Sequence, residues 1–429
     1  YVRAESIRQT SATDFSALNA RLTTSEFATP HFSIGAGQLS LQQVRRPDGQ
    51  TGAFFTAEDT TLNLGDTPVF YWPELSAYAE DSPLRSLNAD YSSNEGVEVE
   101  TTWDLFAMLG KTRPGNIDAE ANIDYLGEHG PGVGVSGSYD SRNNLGEFRG
   151  YLLVDDSGED EVGGRVINQE DEIRGVATVR HRESLPANFE LTLAGALVSA
   201  PTFLEAFYPS EAAAGKLYET SAYVKWQQEN QALDLLATTN LSGFVEQLDE
   251  LQSQGYYVER YPELSYRVIG GNPLGDQITW FSQSSFSQLR IVGEDDTPGD
   301  RGFNDAQSQQ FFGINANQSF DDRLDAAGFP DQSVRRFDTR QELALPLSSG
   351  PVDITPYVVG RLTAYDEDFE DFGNTDGDQV RLWGEAGLRL GTQFSKADGE
   401  VRSDLLDVNG VRHIVETSAT LFFTGSNLD

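Results

Sequence analysis

Val97-Glu98-Val99-Glu100-Thr101-Thr102-Trp103-Asp104-Leu105 is the first long alternating run in this chain of 429 residues. Apolar residues and one threonine occupy its odd positions, and acidic residues and a second threonine occupy the even ones. Because successive side chains of a β-strand point to opposite faces, the run predicts a strand with one apolar and one polar face.

A proline-bearing stretch, Thr67-Pro-Val-Phe-Tyr-Trp-Pro-Glu-Leu75, precedes that run. Proline has no backbone N–H to donate, so Pro68 and Pro73 predict a junction and not a central strand. Upstream of it, short apolar segments alternate with turn signals such as Pro47-Asp48-Gly49. We therefore expect a small all-β domain over residues 1–75 and a second domain over residues 84–429.

About sixteen alternating runs occupy the second domain. Their polar positions often carry full charges, which is typical of a large antiparallel transmembrane β-barrel with a wet lumen. Long acidic connectors such as Gly293–Asp300 and Tyr365–Asp378 alternate with tight turns, as the outer loops and inner turns of such a barrel do. Two connectors predict short helices, at Ser210–Gly215 and Val245–Gln252. The alternation is also compatible with a soluble β-sandwich, so both interpretations stay open on pattern alone.

Composition excludes several classes of protein. The formal net charge is −38, from 68 acidic and 30 basic residues, and such a chain repels nucleic-acid phosphate. There is no cysteine, so disulfides and thiolate chemistry are excluded. No apolar run approaches the ~18 residues that a membrane-spanning helix needs, so a membrane role would depend on strands.

The motifs of catalysis and metal binding are absent from the sequence. The four histidines, His31, His129, His181 and His413, lie far apart and lack the spacing of metal ligands. No nucleophile elbow or phosphate loop occurs. The acidic stretch Asn374–Asp378 lacks the first and last ligands of a calcium loop, so we interpret it as an exposed acidic connector. We expect no catalytic residue, no cofactor site and no metal site, and hence a protein that is not an enzyme.

Several short motifs, spread from about Leu18 to Phe423, occur in the order found in one family. They are Pro68-Val-Phe-Tyr71 with Pro73, Arg85-Ser86, Arg260-Tyr-Pro-Glu-Leu264, Leu343-Ala-Leu-Pro346 with Ile354-Thr-Pro-Tyr-Val-Val-Gly-Arg361, and Arg412-His413 with Glu416. In these motifs the chain resembles the lipopolysaccharide-assembly outer-membrane proteins, also called organic-solvent-tolerance proteins. Thr417 stands where that family usually has proline, and the cysteines that form disulfides in its enteric members are absent.

The resemblance implies a fold, a location and partners. It implies the end of a periplasmic β-jellyroll followed by the first part of an outer-membrane β-barrel, with the closing strands outside this chain. The implied substrate is lipopolysaccharide or a similar glycolipid, which leaves through a lateral gate in the barrel wall. The implied partners are a plug lipoprotein and the periplasmic bridge protein of the export system, and no nucleic acid.

The resemblance and the alternation together nominate three sets of residues. The family-motif junction is Pro68, Phe70, Tyr71, Pro73, Arg85 and Ser86. The candidate gate strand carries Val97, Val99, Thr101 and Trp103. The candidate lumen residues are Glu98, Glu100, Asp104, Arg381, Glu385 and Arg389. The gate is expected without the prolines that the family often has there, because residues 87–108 contain none. Two other functions stay open: a general outer-membrane porin or channel, and a secreted all-β binding or structural protein.

Overall fold

The computed structural model describes residues 2–23, 32–45, 51–64, 67–78, 83–92, 96–156, 158–162, 164–168, 172–214, 218–242, 256–275, 277–327, 333–366 and 379–427. Within these ranges the chain is almost entirely antiparallel β-structure. The expected acidic connector at Asn374–Asp378 and the expected helix at Val245–Gln252 lie outside the described residues.

The N-terminal part forms a six-stranded sheet. Its strands are β1 (Val2–Arg3), β2 (Ser6–Gln9), β3 (Asp14–Leu22), β4 (Phe32–Arg45), β5 (Thr51–Leu64) and β6 (Thr67–Tyr78). The pairing order is β1-β3-β4-β5-β6, and β2 also pairs with β3. The proline-bearing stretch is thus a strand, longer than the predicted junction. It lies at the edge of the sheet, where missing N–H donors are tolerated.

In the described residues after Tyr78, sixteen strands form a second sheet. The first five are β7 (Leu84–Ser92), β8 (Gly96–Asp104), β9 (Ile117–Leu126), β10 (Gly130–Asp140) and β11 (Asn144–Asp156). A separate hairpin follows, β12 (Glu159–Val162) with β13 (Arg165–Asn168). The sheet then continues with β14 (Glu172–Leu185), β15 (Phe189–Val198), β16 (Thr220–Gln228), β17 (Gln231–Thr239), β18 (Tyr256–Gly271), β19 (Thr279–Gly293), β20 (Val334–Ala344), β21 (Leu347–Ser349), β22 (Val352–Tyr365), β23 (Val380–Ser403) and β24 (Val408–Ser426).

Neighbouring strands of this sheet pair antiparallel from β7 at one edge to β24 at the other. Among the described residues the two edge strands do not pair with each other, so the sheet is open. Because strand directions alternate, one end of the sheet holds the tight turns and the N-terminal sheet. We call it the turn end. The opposite end, which we call the loop end, holds the long connections between β11 and β14, β15 and β16, and β19 and β20.

Among the described residues, short helices lie in the connections between strands. They are α1 (Leu105–Met108), α2 (Phe203–Phe207), α3 (Pro209–Ala213), α4 (Asp305–Phe311) and α5 (Phe320–Ala326), with 3-10 turns at Gly127–His129 and Pro186–Asn188. Helix α3 lies where the sequence predicts a helix at Ser210–Gly215. The alternating run Val97–Leu105 was predicted one residue too long, because Leu105 opens α1. Within the described ranges, no helix combines the length and the apolar character needed to cross a bilayer.

The register separates the large sheet into two faces. One, the apolar face, leaves large hydrophobic side chains exposed: Val135, Val179, Leu193, Leu235, Leu264, Phe286, Phe337, Val358, Leu382 and Leu421. The other, the polar face, carries charged side chains that pair across strands. Glu342 lies 2.6 Å from Arg340 and 2.8 Å from Arg389, and Asp338 is bracketed similarly by Arg336 and Arg361.

Glycines let tyrosine rings lie flat across neighbouring strands. A Cβ atom on Gly134 would lie 2.7 Å from the Tyr151 ring, and one on Gly387 would lie 2.6 Å from the Tyr357 ring. Any side chain at these positions would displace the ring. The high glycine and aromatic contents of the sequence thus reflect cross-strand pairs of the smallest residue with a large ring.

The two sheets share one hydrophobic core at the turn end. Trp103 of β8 is only 5% exposed, and its ring centroid lies 6.4 Å from that of Phe70 on β6. The Trp72 indole N–H donates to the Met108 carbonyl over 2.6 Å, so α1 is attached to the N-terminal sheet. This part of the predicted gate strand therefore packs against protein, although its position on the apolar face had suggested an outward orientation.

Candidate functional site

The predicted junction residues lie on two strands that meet at the turn end. Pro68, Phe70, Tyr71 and Pro73 are on β6, where the Tyr71 hydroxyl donates to Asp59 over 2.8 Å. Arg85 and Ser86 start β7. A cavity of about 620 Å³ at the turn end is lined by Tyr78, Asp104 and the connection that follows α1, and not by the junction residues themselves.

Arg85 is the centre of an ionic cluster at the base of the first three strands. Its guanidinium lies 2.8 Å from Asp104 and 2.6 Å from Asp118, and it also pairs with Glu120. Arg113 adds a second contact to Asp118, at 3.0 Å. Asp104, a predicted lumen residue, is thus engaged with a predicted junction residue and also caps α1. Alternation and motif order do not connect these two sets of residues.

The remaining predicted lumen residues fall on the polar face in two places. Glu98 and Glu100 lie on β8, where both line a cavity near the first edge of the sheet. Glu385 and Arg389 lie on β23 and meet at one ring: the Tyr357 hydroxyl donates to Glu385, and the Arg389 guanidinium lies 3.9 Å above the ring centroid. Arg381 is exposed on the same face of β23.

The gate-strand residues occupy the opposite face of β8. The Thr101 hydroxyl donates to the Ile123 carbonyl and accepts from the Trp103 indole N–H, over 2.8 Å. Val99 is half-buried on the same face and pairs with Tyr125 in the register, and Val97 pairs with Tyr91. Buried side chains, Thr101 and Trp103, therefore anchor β8 at its turn end. Val97, at the other end of the strand, lies towards the loop end.

The cavity beside Glu98 and Glu100, which we call the roofed cavity, has a volume of about 370 Å³. Its floor is the polar face of β7 to β11, and its roof is formed from the loop end by His129, Asp160, Phe207 and Tyr208. Floor and roof touch where the Tyr151 and Tyr208 rings meet edge to face, 6.2 Å apart.

Sequence reasoning missed the buried ionic cluster that holds this roof in place. Arg174 is 1% exposed and lies 2.6 Å from both Asp156 and Asp160, which are fully buried. Thr202 donates to Asp160 over 3.2 Å, and the Arg174 guanidinium lies 5.6 Å from the Phe203 and Phe207 rings. A buried arginine satisfied by two carboxylates fixes the connection containing α2 over the polar face.

His129 joins the same cluster through Asp156, with its Nδ1 atom 2.9 Å from the carboxylate. Burial disfavours the imidazolium, but the hydrogen bond and the charge of Asp156 outweigh it and raise the pKa of His129. Asp160 adds to the rise and Arg174 opposes it. The roof therefore contains one group whose charge changes near neutral pH.

A second buried ion pair links the hairpin to the next long connection. Arg165 lies 3.1 Å from Glu205, donates to the Arg301 carbonyl over 2.7 Å, and lies 4.5 Å from the Phe303 ring centroid. Arg301 in turn pairs with Glu294. Buried ion pairs and a hydrogen bond thus link three connections at the loop end.

Two features of the sequence could have indicated ordered connections at the loop end. Arg174 is an arginine within an alternating strand that also carries Val176, Thr178 and Arg180 on the same face. The patterns Asn304-x-x-Gln307 and Ser319-x-x-Asp322 are capping boxes, and they form at α4 and α5.

Among the described residues, no three His, Asp or Glu side chains are grouped in a way that could hold a metal ion.

No protein-family model matches the chain. Over 211 residues, 49% of its length, the chain is 26% identical to the LPS-assembly protein LptD of Chromohalobacter salexigens, of which the match covers 23%. The matched region thus spans about a quarter of that relative.

Solved structures with some similarity are outer-membrane proteins. A bacterial polysaccharide outer membrane secretin shares 11% identity over 78% of this chain and 92% of its own, with a TM-score of 0.24. The Escherichia coli protein Wzi, described as a carbohydrate-binding β-barrel of capsule assembly, shares 8% over 86% and 76%, with a TM-score of 0.25. The Escherichia coli outer membrane transporter YddB shares 9% over 96% and 68%, with a TM-score of 0.26. TM-scores of 0.24 to 0.26 do not establish a shared fold. The chain is thus a nearly all-β protein, half of which is similar in sequence to a lipopolysaccharide-assembly protein.

Proposed function

We propose that the chain is part of an outer-membrane β-barrel that passes lipopolysaccharide or a related glycolipid to the cell surface without covalent catalysis. The division of the sixteen-stranded sheet into an exposed apolar face and an ion-paired polar face carries this proposal. In it, lipid covers the apolar face, and the polar face lines the lumen.

The apolar face disfavours a secreted soluble protein. Leu421 is 63% exposed and Phe423 is 79% exposed, within a surface of similar residues that extends across many strands. A water-soluble protein does not keep so large a continuous apolar surface in contact with water. A bilayer covers such a surface, and the same sheet then turns its charged side chains away from lipid.

The N-terminal sheet favours a transport role over a general porin. It lies at the turn end, which faces the periplasm in outer-membrane barrels, and it shares a core with β7, β8 and β9. In the proposal, this sheet delivers acyl chains to the first strands of the barrel, where β7 is the edge strand and pairs with the candidate gate strand β8. The plug lipoprotein then occupies the lumen, and the periplasmic bridge protein contacts the N-terminal sheet.

Photo-crosslinking in cells tests this function. A benzophenone amino acid at Asn88, which is exposed on the polar face of β7, is expected to form adducts that react with an antibody to lipopolysaccharide. The matched control is Asn409, an exposed asparagine near the turn between β23 and β24. If the protein is found in the outer-membrane fraction but forms no adduct at Asn88, glycolipid transport is rejected. If the protein is found in the aqueous fraction, the secreted alternative is favoured.

A further inference from the structure

The roofed cavity combines aromatic rings with hydroxyl, amide and carboxylate groups. Tyr151 contributes its ring from the floor, and Phe207 and Tyr208 contribute theirs from the roof. The electron-rich faces of such rings attract the C–H edges of a sugar ring, which carry partial positive charge. Aromatic walls with a few placed polar groups are the usual composition of a small-molecule site.

The Tyr208 hydroxyl is available to a ligand. It belongs to the lining of the cavity, and in the part of the chain that the structure describes no group hydrogen-bonds to it. Burial raises the pKa of Tyr208 to about 12, so the hydroxyl keeps its proton at neutral pH. It can therefore donate to, or accept from, a hydroxyl group that enters the cavity.

Two carboxylates of the floor, Glu100 and Asp124, are bonded to neutral donors. Glu100 accepts from the Asn88 amide over 3.0 Å, and Asp124 accepts from the backbone N–H of Thr101 over 2.8 Å and from the hydroxyl of Tyr151. No arginine or lysine pairs with either carboxylate among the described residues. Each keeps lone pairs for further donors.

The cations that line the cavity are already paired. Arg149 forms a two-pronged contact with Glu211, and His129 is bonded to Asp156. Glu100 and Asp124 are thus the lining carboxylates that have no cationic partner among the described residues, and they favour donors over anions in the cavity. A phosphate would meet like charge there, whereas hydroxyl and ammonium groups would find acceptors.

From these contacts we propose that the roofed cavity binds a saccharide unit through its hydroxyl or amino substituents and rejects phosphorylated units. This rests on the proposed function and specifies which part of the glycolipid occupies the polar face. The volume of about 370 Å³ lies in the lower part of the usual range for small-molecule sites, roughly 300–1,000 Å³, which suits a mono- or disaccharide unit.

Calorimetric titration of the full chain tests the inference. The chain is purified in lauryldimethylamine oxide, because a detergent with a sugar headgroup would compete. The probes are the disaccharide of glucosamine, maltose, and maltose 1-phosphate. We expect the glucosamine disaccharide to bind about tenfold tighter than maltose, because its ammonium groups form charge-assisted hydrogen bonds. We expect maltose 1-phosphate to bind more weakly than maltose.

Three variants locate the binding. Glu100→Gln is expected to remove most of the preference for the amino sugar, whereas Glu416→Gln makes the same chemical change on exposed β24 and is expected to alter nothing. Tyr208→Phe keeps the ring and its packing but removes the hydroxyl. It is expected to lower the affinity for all three probes by about threefold to tenfold.

Three outcomes would overturn the inference: no binding of any probe at millimolar concentration, equal affinity for all three probes, or equal effects of Glu100→Gln and Glu416→Gln. These results are independent of the transport test, because free saccharides need neither lipid nor a membrane. Adducts at Asn88 without saccharide binding would reject the subsite alone. Saccharide binding by a chain that stays in the aqueous fraction would reject the transport function.

Discussion

The Arg85 guanidinium and the Asp104 carboxylate lie 2.8 Å apart where β8 ends. Through its other oxygen, Asp104 accepts hydrogen bonds from the backbone N–H groups of Phe106 and Ala107, at 2.9 Å and 3.1 Å. One carboxylate therefore joins the first strand pair of the large sheet to the helix that packs on the N-terminal sheet.

Asp104→Ala is expected to destabilise the protein more than Asp104→Asn. Asparagine caps a helix about as well as aspartate, so Asp104→Asn loses only the ion pair, whereas alanine also loses a cap that is worth about 1 kcal/mol. Urea unfolding in detergent micelles, followed by tryptophan fluorescence, measures both free energies. Equal values for the two variants would show that the cap contributes nothing.

Arg174→Met is expected to cost roughly 3–5 kcal/mol, because it removes the guanidinium that the buried carboxylates of Asp156 and Asp160 share. Hydrogen exchange should show lost protection in the hairpin at 159–168. The control is Arg180→Met, since the pair of Arg180 with Glu147 is about 60% exposed and such pairs are worth about 0–1 kcal/mol. A similar loss in both variants would contradict the assigned role of Arg174.

His129→Gln is expected to destabilise the protein at pH 5.5 and to have little effect at pH 9. The folded protein raises the pKa of His129 above its ordinary value of about 6.5, so the stabilisation is fully present below that value and is lost as the pH rises through the folded pKa. Unfolding free energies of the two proteins at the two pH values test this. A larger difference at pH 9 than at pH 5.5 would contradict it.

Gly134→Ala is expected to destabilise the protein by about 1–3 kcal/mol, because the new Cβ would overlap the Tyr151 ring. Gly360→Ala makes the same change on β22, where a Cβ would meet nothing within 4 Å, and is expected to be neutral or slightly stabilising. Urea midpoints of the two variants provide the comparison. Equal midpoints would mean that the Tyr151 ring moves aside at no cost.

Single cysteines test the two faces, since the natural chain has none. Glu100→Cys and Arg381→Cys are expected to react with a membrane-impermeant maleimide in bilayers, because both side chains project from the polar face. Val358→Cys and Leu388→Cys, which lie on the apolar face, are expected to stay unlabelled until detergent is added. The reverse pattern would reverse the assignment of the faces.

The strands and their faces could be predicted from the sequence because they depend on local alternation. The alternation from Val97 to Asp104 predicts a strand with two different faces without reference to any other part of the chain. The same rule assigns Glu385 and Arg389 to the polar face. The end of β8 could not be placed in this way, because it depends on Asp104 capping α1.

The roofed cavity was beyond sequence reasoning because its parts are distant along the chain. Glu100 and Tyr208 line the same cavity because five strands follow one another in antiparallel order and one connection folds onto the polar face. Alternation assigns a residue to a face but does not say which loop covers it. Trp103 shows the same limit, since its cover comes from Phe70 of the other sheet.

The core around Trp103 and Phe70 belongs to both sheets, so neither sheet can lose its packing without exposing the apolar side chains of the other. Heating should therefore melt the two together, as a single endotherm in scanning calorimetry. The N-terminal sheet and the first strands of the large sheet would behave as one rigid body, and any flexing of the large sheet would begin at strands farther from this joint.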